Sequence, residues 1–194
     1  MLLEAPRQAG RYDPPLRAFA EREYRGGNCE AMNLVRMEIQ RHDWNSIRCG
    51  CGQSAQHLLP ILDAAIDGQS RSAVRALDDH VFVQSNLMPS APAVCAVAMA
   101  VLVDAEKEVL NKREVLWLLC SFIGCEEGAD SAEPSLYGRC IRLIQDGIWV
   151  IYRELVSGGD VDCVSYASDI LEVVERDPDR RHYYMGVPRD GSVG

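Results

Sequence analysis

The chain has 194 residues, of which 47% are hydrophobic and 25% charged, values ordinary for a soluble globular protein of one domain, with or without an appendage. Its formal net charge is −9 with a pI near 4.9, a balance that repels nucleic-acid phosphates and attracts basic partners. No apolar run reaches the roughly 20 residues of a membrane span, and "MLLEAPRQAGRYDPP" lacks the apolar core of a signal peptide, so a cytoplasmic protein without membrane or nucleic-acid partners is expected.

Helical patterns recur from end to end, and strand signals are poor. Asp13, Pro14 and Pro15 start a first helix with Leu16, Phe19, Ala20 and Tyr24 on one face. "GGN" at Gly26–Asn28 ends it and opens a second helix reaching about Gln40. A connector holding Trp44, Ile47 and "CGCG" leads to a helix with Leu58, Leu62 and Ala65 on one side. After the turn "DGQS", a helix over about 70–83 places Val74, Leu77 and Val81 at helical spacing and leaves Asp78 and Asp79 on the polar side.

The run "APAVCAVAMAVLV" is apolar on every face, which marks a buried helix. Ser90 is its expected cap, and Pro92 fits its first turn. Asn111 with Glu114 forms an Asn variant of a capping box. The helix that follows packs Val115, Leu116, Leu118, Leu119, Phe122 and Ile123, and Gly124 stops it. Val97, Leu102, Leu116 and Leu119 are expected in the core. "CEEGADSAEP" is an acidic loop. Pro134 restarts a helix to about Val156, bent at Asp146-Gly147, and a last helix over about 162–175 carries Val164, Ala167, Leu171 and Val174 on one face, with Asp162 as its expected cap. Residues 176–194 are rich in Pro, Gly and charge and read as a tail that frays or docks back.

These helices fall into three pairs with a repeat of about 40 residues, the mark of HEAT or armadillo stacking. The predicted fold is all-α: a short right-handed superhelix of antiparallel HEAT-like pairs over 44–175, capped by N-terminal helices within 1–43. The segment from Trp44 onward resembles the HEAT-like repeat proteins found beside bacterial polymorphic toxins, many of which are taken to be immunity proteins. Trp44, Gly52/Ala55, Pro60/Leu62, Arg75/Ala76, His80/Gln84 and Ala91/Leu102 occupy comparable places to that family's motifs. The likeness covers roughly 44–175. Gln84-Ser85 stands where the family has Gln-Gly, and the proline before the Leu-rich segment is displaced to Pro92.

The resemblance implies a non-catalytic module that binds and neutralises a cognate protein toxin. The acid excess implies a basic surface on that toxin. Expected partner contacts are Asp78, Asp79, Glu126, Glu127, Asp130, Glu133 and Asp160, with Tyr152 and Tyr166 as exposed aromatic anchors. A HEAT-type adaptor unrelated to toxins is the alternative, and a HEAT-like DNA-repair enzyme a more distant one, opposed by the net charge. No nucleophile elbow, Walker loop, dinucleotide fingerprint or zincin motif is present in the sequence, so no catalytic residue or cofactor is expected. The eight cysteines read as reduced thiols, several serving as small core residues. Cys29, His42, Cys49 and Cys51 do not have the spacing of a zinc finger or ribbon, and His57 and His80 read as helix-end histidines, so no metal is expected.

Overall fold

The computed structural model describes residues 34–66, 73–104, 112–125, 135–157 and 160–187. The chain divides into units 1–32 and 33–194, and every described residue belongs to the second. The expected first helix therefore lies outside the described residues, as do Cys29, the turn "DGQS", Asn111, Pro134 and the acidic loop from Glu126 to Glu133.

Among the described residues the fold is mostly helical, with eight α-helices and one two-stranded hairpin. The helices are α1 (Leu34–Gln40), α2 (Leu59–Ile66), α3 (Ala91–Val103), α4 (Lys112–Ile123), α5 (Leu136–Asp146), α6 (Ile148–Ser157), α7 (Val161–Val174) and α8 (Pro178–Met185). The strands are β1 (Phe82–Val83) and β2 (Asn86–Leu87). No described helix is long and apolar enough to cross a membrane.

The run that is apolar all round becomes α3, buried from Ala91 to Leu102. It packs against α1, α4, α5 and α6, so neighbours cover it on every side. Val97, Leu102, Leu116 and Leu119 are each at most 2% exposed, as their spacing predicts. Ser90 does not cap α3 through its side chain; its hydroxyl donates instead to the His80 carbonyl at 3.1 Å. The far end of α3 is held by Arg153, which donates to the Leu102 carbonyl, one of the orphan acceptors of a helix terminus. Arg153 also meets Glu154 at 2.8 Å, and Lys112 reaches the same buried carboxylate at 3.2 Å, tying α6 to α4.

The predicted helix over 70–83 is not formed where the chain is described. Residues Arg75–Leu77 make a single 3-10 turn, and the chain then enters the β1–β2 hairpin. Asp79 adopts φ 64°, a left-handed value that ends any helix there. Gln84 and Ser85 at φ 49° and 65° form the two-residue turn, whose positive dihedrals match the right-handed twist of a tight hairpin. Asn86 ties it back by donating to the Gln84 carbonyl at 3.1 Å. Val74, Leu77 and Val81 are nevertheless buried, because the turn and hairpin present the same apolar residues to the core. Arg75 clamps this segment to α4: its Nε lies 2.6 Å from Glu114, and its guanidinium sits 3.5 Å over the Trp117 ring.

The long helix predicted to Val156 breaks at Gly147 into α5 and α6. A Cβ at Gly147 would lie 2.6 Å from the Met99 methyl, the flexible end of a side chain that would have to shift. The cap of α5 is Ser135, which accepts from Gly138 N–H. Asp160, not Asp162, caps α7, accepting from the Asp162 N–H at 2.8 Å, and Asp162 pairs with Arg113 at 2.7 Å. The tail is folded where described: Asp177 caps α8, Pro178 occupies its first turn, and the helix docks on α6 and α7.

Candidate functional site

Among the described residues, two features carry chemistry: an aromatic surface on α6 and α8, and a cysteine–histidine cluster beside the hairpin.

In α6 the buried residues Ile148, Ile151, Tyr152 and Leu155 define the inward face by their helical spacing. Trp149 falls on the other face and is 58% exposed. The docking of α8 brings Tyr184 to 6.3 Å from the Trp149 ring and 4.7 Å from Tyr152, with Tyr183 at 5.3 Å from Tyr184 and 69% exposed. Arg180 sits 5.2 Å from the centre of the Trp149 ring. Its guanidinium holds Glu175 at 2.7 Å, and the Tyr152 hydroxyl donates to the same carboxylate at 2.6 Å. These donors, Arg180 first, keep the Glu175 carboxyl down at about 2. Burial, reinforced by Glu175, pushes the Tyr152 phenol up to about 12. A depression of about 420 Å³ lined by Arg142, Gln145, Asp146, Arg176 and Arg180 adjoins the patch and gives it a polar border.

The cluster comprises Cys49, Cys51, His57 and His80, whose ligand atoms all lie within 4.8 Å of one another. Cys49 Sγ is 3.6 Å from His57 Nε2 and 3.2 Å from His80 Nδ1. Cys51 Sγ is 3.6 Å from His57 Nε2, and the two ring nitrogens are 3.3 Å apart. His57 Nδ1 lies 2.6 Å from the Ser54 carbonyl. A carbonyl only accepts, so the proton of the neutral ring is on Nδ1 and the Nε2 lone pair faces the sulfurs. The glycines of "CGCG" shape this loop. A Cβ on Gly50 would meet the Asp79 carbonyl at 2.8 Å, and Gly50 N–H donates to the His80 carbonyl at 2.8 Å. Gly52 takes φ 84°. Cys49 is buried and Cys51 exposed, and burial pushes the Cys49 thiol up.

Of the cysteines expected within apolar helical patterns, Cys95, Cys140 and Cys163 are buried and Cys120 is half-buried; Cys125, at the start of the acidic segment, is buried as well. Cys120 and Cys125 donate to the Tyr166 and Ser121 carbonyls, and burial pushes their thiols up to about 12 and about 11.

The expected contact residues are distributed unevenly. Asp78 and Asp79 are exposed on the turn before His80. Asp160 is engaged as a cap. Glu126, Glu127, Asp130 and Glu133 lie outside the described residues. Tyr166 is half-buried. Tyr152 is 2% exposed, which corrects its expected role as an exposed anchor: the inward stripe of α6 takes it, and Trp149 is the aromatic left outside. That stripe was readable as 148, 151, 152 and 155. His42 is not one of the clustered residues; it meets Glu38 at 3.1 Å and the edge of Trp44. His57 and His80, 23 residues apart, take the places that Cys29 and His42 had in the sequence reading. Comparison with family models, with curated proteins and with solved structures returned no match.

Proposed function

We propose that this chain is a non-catalytic protein-binding module that neutralises a cognate bacterial toxin, with Trp149 as its anchor. The observation that carries the binding role is the exposed Trp149–Tyr183–Arg180 patch. Trp, Tyr and Arg are the residues that dominate interface energetics, and they do so most when surrounding contacts exclude water from them. Here the anchor is held in place before any partner arrives: Tyr184 and Tyr152 support the ring from beneath, and the Arg180–Glu175 pair fixes the guanidinium beside it. Preorganisation of that kind lowers the ordering cost of association. The net charge of −9 adds long-range attraction toward a basic partner. The toxin reading, and the superhelical stacking of helix pairs that goes with it, rest on the sequence resemblance over 44–175.

The test is co-expression of the full chain with the toxic domain encoded beside its gene. Wild type should restore growth and co-purify with that domain. Trp149→Ala should weaken the complex by roughly 30–1,000-fold, the effect of losing about 2–4 kcal/mol at a hot spot. Absence of both rescue and complex with wild type would sink the toxin reading. A complex that Trp149→Ala leaves intact would place the binding face elsewhere.

A further inference from the structure

We propose that Cys49, Cys51, His57 and His80 bind one zinc ion as a closed tetrahedral site that staples the connector before α2 to the turn leading into the β-hairpin.

The geometry carries this. Zinc bonds of about 2.3 Å to sulfur and about 2.0–2.1 Å to nitrogen, set tetrahedrally, require S···N edges of about 3.6 Å and an N···N edge of about 3.3 Å. Three of the four S···N distances here are 3.6, 3.6 and 3.2 Å, the N···N distance is 3.3 Å, and the Cys51–His80 and Cys49–Cys51 pairs lie within 4.8 Å. Hydrogen bonding accounts for only part of this convergence: the Cys49 thiol lies 3.4 Å from the His80 carbonyl, which it reaches as a donor. With its proton on the Ser54 side, His57 offers one lone pair at Nε2, yet two sulfurs and the His80 nitrogen all crowd that atom. One lone pair accepts one hydrogen bond well; a cation at the centre uses all four donors at once. The Ser54 carbonyl supplies the outer partner that zinc-bound histidines regularly have, fixing the tautomer and ring orientation.

The surrounding backbone is arranged to hold the four donors. The His80 carbonyl receives Gly50 N–H at 2.8 Å and the Ser90 hydroxyl at 3.1 Å, which locks the His80 main chain against the cysteine loop. The one-residue gap between the cysteines works because Gly50 passes flat against the Asp79 carbonyl, where a side chain would collide. Two thiolates and two imidazoles in a tetrahedral set select zinc by ligand softness and geometry. Binding releases the two thiol protons and leaves a neutral site. With four protein ligands and no open position, its role is structural, not hydrolytic. It clips together segments 31 residues apart, Cys49 and His80, neither of which lies in a regular helix. This assignment is independent of the toxin reading.

The experiment uses the full chain, expressed with added zinc, purified with its thiols reduced and dialysed without chelator. Elemental analysis should give one zinc per chain. Replacement by cobalt should give the visible bands of a tetrahedral site together with thiolate charge transfer. Cys51 is exposed, so Cys51→Ser should fold yet lose zinc affinity by more than about 100-fold, beyond the roughly 10–100-fold that an outer partner costs. Cys125→Ser, a thiol outside the cluster, should keep the metal. Zinc should raise the melting temperature of wild type and not of Cys51→Ser. A reduced wild-type chain that takes up neither zinc nor cobalt, or equal zinc retention by Cys51→Ser and Cys125→Ser, would overturn the assignment. So would a Cys49–Cys51 disulfide that persists through reducing purification.

Discussion

The Tyr152 hydroxyl donates to the Glu175 carboxylate at 2.6 Å, and the Arg180 guanidinium closes on the same carboxylate from α8. Three helices are thereby joined at one buried anion. Glu175 is held from 4.5 down to about 2, so its contribution to stability is present above pH about 4.5 and is lost as pH falls toward about 2. Glu175→Gln should be less stable at neutral pH and should flatten the acid limb of stability in that window. Tyr152 is raised from 10.0 to about 12, so the phenol's contribution is full below pH about 10 and is lost as pH rises through about 12. Tyr152→Phe should flatten that alkaline limb and cost roughly 1.5–3 kcal/mol at neutral pH. Denaturant melts across pH, compared with wild type, read both limbs; parallel curves in either window would contradict the assignment.

Gly147 ends α5 where the Met99 methyl already occupies the space of a Cβ. Gly147→Ala should change stability by less than about 1 kcal/mol, because the Met99 methyl can move aside and alanine is the better helix former. The far end of a methionine is flexible, which keeps the figure from going higher. The same change made on a Met99→Ala background should be more favourable, because the colliding atoms are gone. A double-mutant cycle by chemical denaturation should therefore show coupling above about 0.5 kcal/mol; additive effects would show that the Met99 methyl does not resist a side chain at position 147.

Ser85 carries φ 65° in the second turn position of the hairpin. A non-glycine residue there costs about 1–2 kcal/mol, while glycine adds roughly 0.5–1 kcal/mol of unfolded-state entropy. Ser85→Gly should therefore stabilise the protein by about 0.5–1 kcal/mol. A lower melting temperature for this variant would show that the Ser85 hydroxyl or its backbone is doing something the turn geometry does not reveal.

Burial was legible in the sequence wherever periodicity alone decides it. An all-apolar run has no outward face, so α3 had to be central, and the stripes of α4 and α7 kept their faces. The segment around Val74 to Val81 misled because apolar residues at helical spacing are also satisfied by a 3-10 turn running into a hairpin. The hairpin gave no Asn-Gly or Asp-Gly signal, since Gln84 and Ser85 take its left-handed positions. His57 and His80 could not be paired from spacing, because that hidden turn is what brings them together. The last helix was announced by Asp177-Pro178, a cap followed by a first-turn proline, but the charge and glycine around it read as a tail.

Asp78 and Asp79 are the expected contact acids that remain exposed where the chain is described, and their place on the turn follows from the same hairpin. Asp78 accepts from the Asp79 N–H at 3.0 Å, and Asp79 sits at φ 64°, a conformation asparagine shares readily. Replacing both with Asn removes two charges while keeping the turn, a cleaner change than Lys, which would add strain at position 79. Exposed charges act chiefly on encounter, so the double variant should associate with a basic partner more slowly at low salt. The deficit should shrink as ionic strength shortens the screening length to roughly 8–10 Å and below. Dissociation should change little, in contrast to Trp149→Ala, which removes contact area and should act on the off-rate. Stopped-flow binding at two ionic strengths separates the two. An on-rate unchanged at both strengths would remove these carboxylates from the encounter and leave recognition to the aromatic patch alone.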